Sequence, residues 1–155
     1  MTIPANWNDI LVRDNYPDAG RIPSRGFVWE SPDIIPFGSD VLSFDLLESS
    51  YNGSPDISLN HPVVQGQINR IYVRGKNLRT GCPSSGRVRL WYAPGGLLLN
   101  PQAWTPLSAE GNGTVVPLTV RGGSREIPPG AICVSESAFL WPTNLPAGHY
   151  CLLAT

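Results

Sequence analysis

In the closing stretch PAGHYCLLAT, His149 stands two residues before Cys151. An imidazole beside a thiol is the pairing of a cysteine nucleophile, and with further Cys or His it is the start of a zinc set. On an extended strand both side chains fall on one face, with Tyr150, Leu152 and Ala154 on the other. A nucleophile and base so close on one strand are poorly placed to share a substrate, and no third orienting group is evident. The pair therefore reads as part of a last strand leaving the turn at Gly148. Cys82, Cys133, Cys151 and His149 would make four zinc ligands in number, but no CxxC or HxxxH spacing accompanies them.

Oxygen ligands offer a second chemistry. In RDNYPDAG, Asp14, Asn15 and Asp18 precede Gly20, and each of two SPDI stretches adds an acid, Asp33 and Asp56. Calcium takes six to eight such oxygens. The spacing is not that of an EF-hand, and the competing reading is that these side chains cap turns by bonding backbone N–H groups. Asp14, Asn15, Asp18 and Asp33 stand as calcium candidates beside that turn-capping alternative, and no other cofactor is expected. There is no GxSxG, HExxH or Walker loop, and the glycines of RGGSRE and APGG lack a strand–loop–helix setting. The expectation is a protein without catalytic residues.

The charges give a third lead. Residues 1–56 hold nine acids and three arginines (−6), residues 57–109 hold five arginines and Lys76 with no acid (+6), and the remainder is −1, for a net charge of −1. Arginines outnumber the lone lysine ten to one. In NRIYVRGKN (69–77), Arg70, Tyr72, Arg74 and Lys76 alternate with Ile71, Val73 and Gly75. In GRVRLWYA (86–93), Arg87, Arg89 and Trp91 alternate with Val88, Leu90 and Tyr92. Paired as a hairpin, the two strands would gather Arg70, Tyr72, Arg74, Lys76, Arg87, Arg89 and Trp91 into one face suited to planar, stacking recognition. That face either binds a partner or is covered by the acidic N-terminal segment, and internal pairing is the favoured explanation. A pI near 6.1 argues against nucleic acid as the partner.

The elements that must position these residues are strands. Period-two patterning recurs at 9–14, 69–77, 86–93, 113–120, 131–141 and 149–154, with 16 glycines and 16 prolines spread as turns between them. Pro117 sends its segment to a sheet edge or a bulge. Stretches with helical spacing are broken before three turns, so no amphipathic helix is expected. Residues 15–66 are poor in strands and read as a loop-rich cover. The fold class is all-β, an antiparallel immunoglobulin-like sandwich in one domain (1–155), with residues 1–66 packed over a core of 67–155. No stretch reaches the roughly 18 apolar residues of a membrane helix, so no membrane insertion is expected. MTIPANWNDILVRD lacks the basic and apolar runs of a signal peptide, which implies the cytoplasm or export by a leaderless route.

NRIYVRGKNLRTGCPSSGRVRLWYA, the terminal LPAGHYCLLA and the N-terminal DILVRDNYPDAGRIPS…ESPDI together resemble a β-sandwich module recurrent in bacterial extracellular proteins. That module belongs to the CARDB-like branch of the immunoglobulin-like folds, close to fibronectin type III. The resemblance implies a non-catalytic module appended to larger secreted proteins, and a disulfide between Cys82 and Cys151. The expected function is recognition of another protein within a secreted, toxin or injection-type assembly. The alternative is a carbohydrate-binding module that uses exposed aromatics such as Trp104 and Trp141.

Overall fold

The computed structural model describes residues 5–53 and 59–155. In chain order the strands are β1 (Ala5–Asn6), β2 (Ile10–Leu11), β3 (Arg21–Ile22) and β4 (Ile34–Pro36), then a helix α1 (Phe44–Ser49). There follow β5 (Arg70–Asn77), β6 (Arg87–Val88), β7 (Leu90–Pro94), β8 (Thr105–Pro106), β9 (Val116–Thr119), β10 (Ile132–Ser135), β11 (Phe139–Leu140) and β12 (Tyr150–Ala154). The fold is mostly β and antiparallel, with one sheet curled.

β5 is the axis of that sheet. Its odd-numbered residues bond β10 and β11, as in Asn77 N–H to Ala131 O, while its even-numbered residues bond the N-terminal segment, as in Arg74 N–H to Asp33 O. β4 and β2 lie along this second edge. Beyond β10 come β9 and then β6. β6 and β7 are nearly one strand, and β7 carries β8 on one edge and β12 on the other. The hairpin expected between 69–77 and 86–93 is therefore not formed, because β10 and β9 stand between β5 and β6.

Alternation along these strands builds the main core. Ile71 and Val73 of β5 meet Phe139 of β11, Cys133 of β10, Leu118 of β9 and Leu90 of β7 on the concave face. Removing each large side chain from water is worth about 1.5–3 kcal/mol. Two glycines permit the curl. A Cβ on Gly75 would sit 2.9 Å from Ile10 Cγ2, and one on Gly86 would sit 2.9 Å from Ile10 Cδ1. The absence of both side chains lets Ile10 of β2 touch the start of β6, so opposite ends of the sheet approach each other.

Pro117 lies between β6 and β10, not on an edge. Its carbonyl accepts Glu136 N–H, and the position of its missing N–H falls where β10 gives way to β11. The helix corrects the expectation of none. Ser43 Oγ accepts Leu46 N–H at 3.3 Å as its N-cap, Asp45 suits the first turn, and Leu47 is buried. Six residues are too few to be stable alone, so packing on the sheet supports the helix. Leu47, Leu42 and Ile35 form a second core with Tyr72, Val134 and Ala138 on the convex face of β5 and β10.

The disulfide implied by the resemblance is also corrected: Cys82, Cys133 and Cys151 are all free. Cys82 is exposed in the loop after β5, while Cys151 is in mid-strand on β12 opposite Ala93.

Candidate functional site

The convex face of β5 carries the predicted arginines, and the N-terminal segment covers it. Arg74 is 2% exposed and Asp33 is fully buried. Arg74 Nε donates to Asp33 Oδ1 at 2.9 Å. Arg13 reaches the same carboxylate through Nη2 (2.8 Å), Nε (2.9 Å) and its backbone N–H (3.0 Å). The remaining donors find backbone oxygens. Arg74 bonds Leu47 O at the C-terminal end of α1 and Pro32 O, and Arg13 bonds Tyr51 O. The Arg13 guanidinium stacks 3.7 Å from the centroid of the Tyr51 ring, and the Lys76 ammonium lies 5.6 Å from it. Burial pushes the Tyr51 hydroxyl up to about 12. This cluster ties four pieces of chain together: the stretch after β2, the first SPDI, the end of α1, and β5.

The seven-residue arginine face thus separates. Tyr72 is buried, with its hydroxyl accepting Leu42 N–H. Arg70 pairs with Glu110 at 2.7 Å and also bonds Ser39 O. Arg87 and Arg89 stay exposed on β6 and beyond it, with no ion pair among the described residues. Trp91, on the same outer side of β7, bonds Thr155 Oγ1 through Nε1 and lies 6.5 Å from the ring of Trp104. Trp141 is not a free platform, since it packs edge-on against Tyr150 and close to Tyr92.

Asp14, Asn15, Asp18 and Asp33, the calcium candidates, each bond groups within the chain. Asp33 is occupied by two guanidinium groups. Asp18 accepts Asp14 N–H and Gly20 N–H, and Asp14 accepts the Ser24 hydroxyl. These are the turn bonds of the competing reading. Asn15 donates through Nδ2 to Arg25 O (2.7 Å) and Phe27 O (3.3 Å), while its Oδ1 is buried without a partner among the described residues. Asp56 lies outside the described residues. Among them no group of three or more His, Cys, Asp or Glu is arranged to hold a metal. His149 is exposed, and its ring lies over Gly95. Burial holds the Cys133 thiol up to about 12, which keeps it protonated and unreactive.

Two features escaped the sequence reading. The loop RGFVWE (25–30) exposes Phe27, Val28 and Trp29, the last 69% exposed, with the Phe27 and Trp29 rings 5.0 Å apart. Asn15 anchors its start, and Gly26 adopts φ +89°, a conformation that favours glycine. An apolar triplet between Gly and Glu, without alternation, was the available signal. The second feature is a cleft of about 300 Å³ between α1 and the convex sheet, lined by Phe44, Leu47, Tyr72, Thr119 and Ser135 among others. Near it Arg121 bridges to Asp45 and Glu48 of the helix.

No protein-family model, no curated protein and no solved structure matches this chain.

Proposed function

We propose that this chain is a non-catalytic binding or assembly module that recognises another protein, with an immunoglobulin-like sandwich of the CARDB/fibronectin type III kind as its finer architecture. The partner belongs to a larger secreted, toxin or injection-type assembly. The observation that carries the reading is the Phe27–Val28–Trp29 loop. Three consecutive large apolar side chains are held out in water at a position fixed by Asn15. Such exposure costs solubility unless something covers it, and aromatic side chains are the ones that dominate the energetics of protein interfaces. The buried arginine cluster supports the same reading, because it fixes the N-terminal segment that presents the loop.

A photo-crosslinking residue placed at Trp29 in the native cellular background tests this. The expected result is one discrete adduct, which disappears when Phe27 and Val28 are changed to Ser. Adducts that are absent or indifferent to those changes overturn the reading. The carbohydrate alternative draws support from Trp91 and Trp104, which neighbour each other on the outer side of β7. Their planes are 52° apart and both indole N–H groups bond within the chain, which makes a poor flat platform. Glycan-array binding abolished by Trp104→Ala would favour it over protein recognition.

A further inference from the structure

Among the described residues the second edge of β12 has no neighbouring strand. Odd-numbered positions bond the segment containing β7: Gly95 N–H to His149 O, and Arg89 and Thr155 exchanging both bonds. The N–H and C=O groups of Tyr150, Leu152 and Ala154 point the other way and bond no backbone of the described residues. An open edge is ordinarily blunted by charge, proline or a bulge. YCLLA has none of these, and all five residues are half-buried rather than capped over.

We propose that β12 pairs antiparallel with β12 of a second copy of this chain, about a two-fold axis through Leu152. The choice of occupant rests on the side chains that self-pairing sets opposite each other. The free groups sit at 150, 152 and 154, symmetric about 152. An antiparallel pairing of the strand with itself sets 152 opposite 152, and 150 opposite 154 of the other copy. In that register each of these residues exchanges both backbone bonds with its opposite number. A pairing of this kind is isologous, with the same strand serving on both copies. Side chains agree with it. Tyr150, the largest, faces Ala154, the smallest. Leu152 faces Leu152, and on the outer side Cys151 faces Leu153. No like charges oppose each other. The two sheets then become one across the axis. This contact is separate from the Phe27–Trp29 loop and does not depend on the protein-recognition reading.

The register makes a specific test. Residues 151 and 153 of opposite copies form non-hydrogen-bonded pairs, about 4.5 Å between Cα atoms, within reach of a disulfide. In a Cys82→Ser background, which removes the exposed thiol, Leu153→Cys should oxidise to a covalent dimer. Mass spectrometry should place its bridge between Cys151 of one copy and the introduced thiol of the other. Light scattering of the unmodified chain should give twice 16.8 kDa. Cys151→Lys with Leu153→Lys sets like charges opposite each other and should weaken association by about tenfold or more. Cys151→Glu with Leu153→Lys sets opposite charges there and should retain the dimer. Circular dichroism on both charge variants confirms that the fold is kept. A monomer at high micromolar concentration, a dimer indifferent to both charge variants, or a bridge in any other register overturns the proposal. Serine at Phe27, Val28 and Trp29 should leave the dimer unchanged, which separates this contact from the loop.

Discussion

β5 and the β6–β7 segment carry almost the same pattern and meet opposite fates. RIYVRGK and RVRLWYA each alternate apolar side chains with arginine and an aromatic. In β5 the polar face is roofed by α1 and the first SPDI, so Arg74 and Tyr72 are buried. In β6–β7 the corresponding face looks outward, and Arg87 and Arg89 remain in water. Burial therefore follows from what crosses a strand, and the alternation only sorts residues into two faces. A guanidinium in water is nearly neutral for stability, while the same group under a roof must find a carboxylate and carbonyls or it costs several kcal/mol.

The contrast is sharpest at Asp33. Asp33→Ala leaves Arg13 and Arg74 buried without their common partner and should cost about 3–5 kcal/mol. Arg87→Ala with Arg89→Ala should stay within about 0.5 kcal/mol per site. Urea denaturation of both variants checks this, and comparable losses would break the comparison.

Alkaline titration should give the next largest effect. Tyr51 and Cys133 both have folded pKa values raised by burial to about 12, from 10.0 and 9.0. The folded state holds these protons more tightly than the unfolded one. Stability is thus fully present below pH 9 and is lost as pH rises towards 12, by about 1.4 kcal/mol per pH unit for each group in its window. Tyr51→Phe should flatten the decline above pH 10, and Cys133→Ala should flatten it from pH 9. Unfolding curves from pH 8 to 11.5 measure both, and an unchanged slope in Tyr51→Phe would show that the aromatic under the roof is not shielded.

Ser43→Ala removes the N-cap of the roofing helix and should cost about 1 kcal/mol. Hydrogen exchange should then quicken in α1 and leave the amides of β7 protected. The smallest effect is chemical. Alkylation at pH 8 should modify Cys82 first and reach Cys133 only on unfolding, which sharpens the same division between open and roofed positions.

Strand existence was legible because alternation is local. Segments 69–77, 131–141 and 149–154 contain the observed β5, β10–β11 and β12, and 86–93 contains β6–β7 up to its last residue, Pro94. Pairing was not legible. β5 skips its sequence neighbour for β10 and the N-terminal β2 and β4, and nothing within nine residues specifies a partner sixty away. α1 escaped because its propensity is spread over less than two turns and packing supplies the rest. At the candidate sites, the acidic N-terminal and basic middle segments announced their mutual attraction, and the Asp33–Arg74 and Asp9–Arg79 pairs realise it. The Phe27–Trp29 loop gave no periodic signal, since exposure belongs to the finished surface.

The sequence by itself determined that this chain forms short antiparallel strands with one apolar face each, and that two oppositely charged segments have reason to meet. Those properties reside in side-chain order and in Coulomb attraction, which need no coordinates. Tertiary structure alone decided which arginines lie inside, which thiols stay apart, and that one edge of β12 is unpaired among the described residues. Each of these depends on which distant segment arrives alongside, and contacts between residues far apart in the chain fix that.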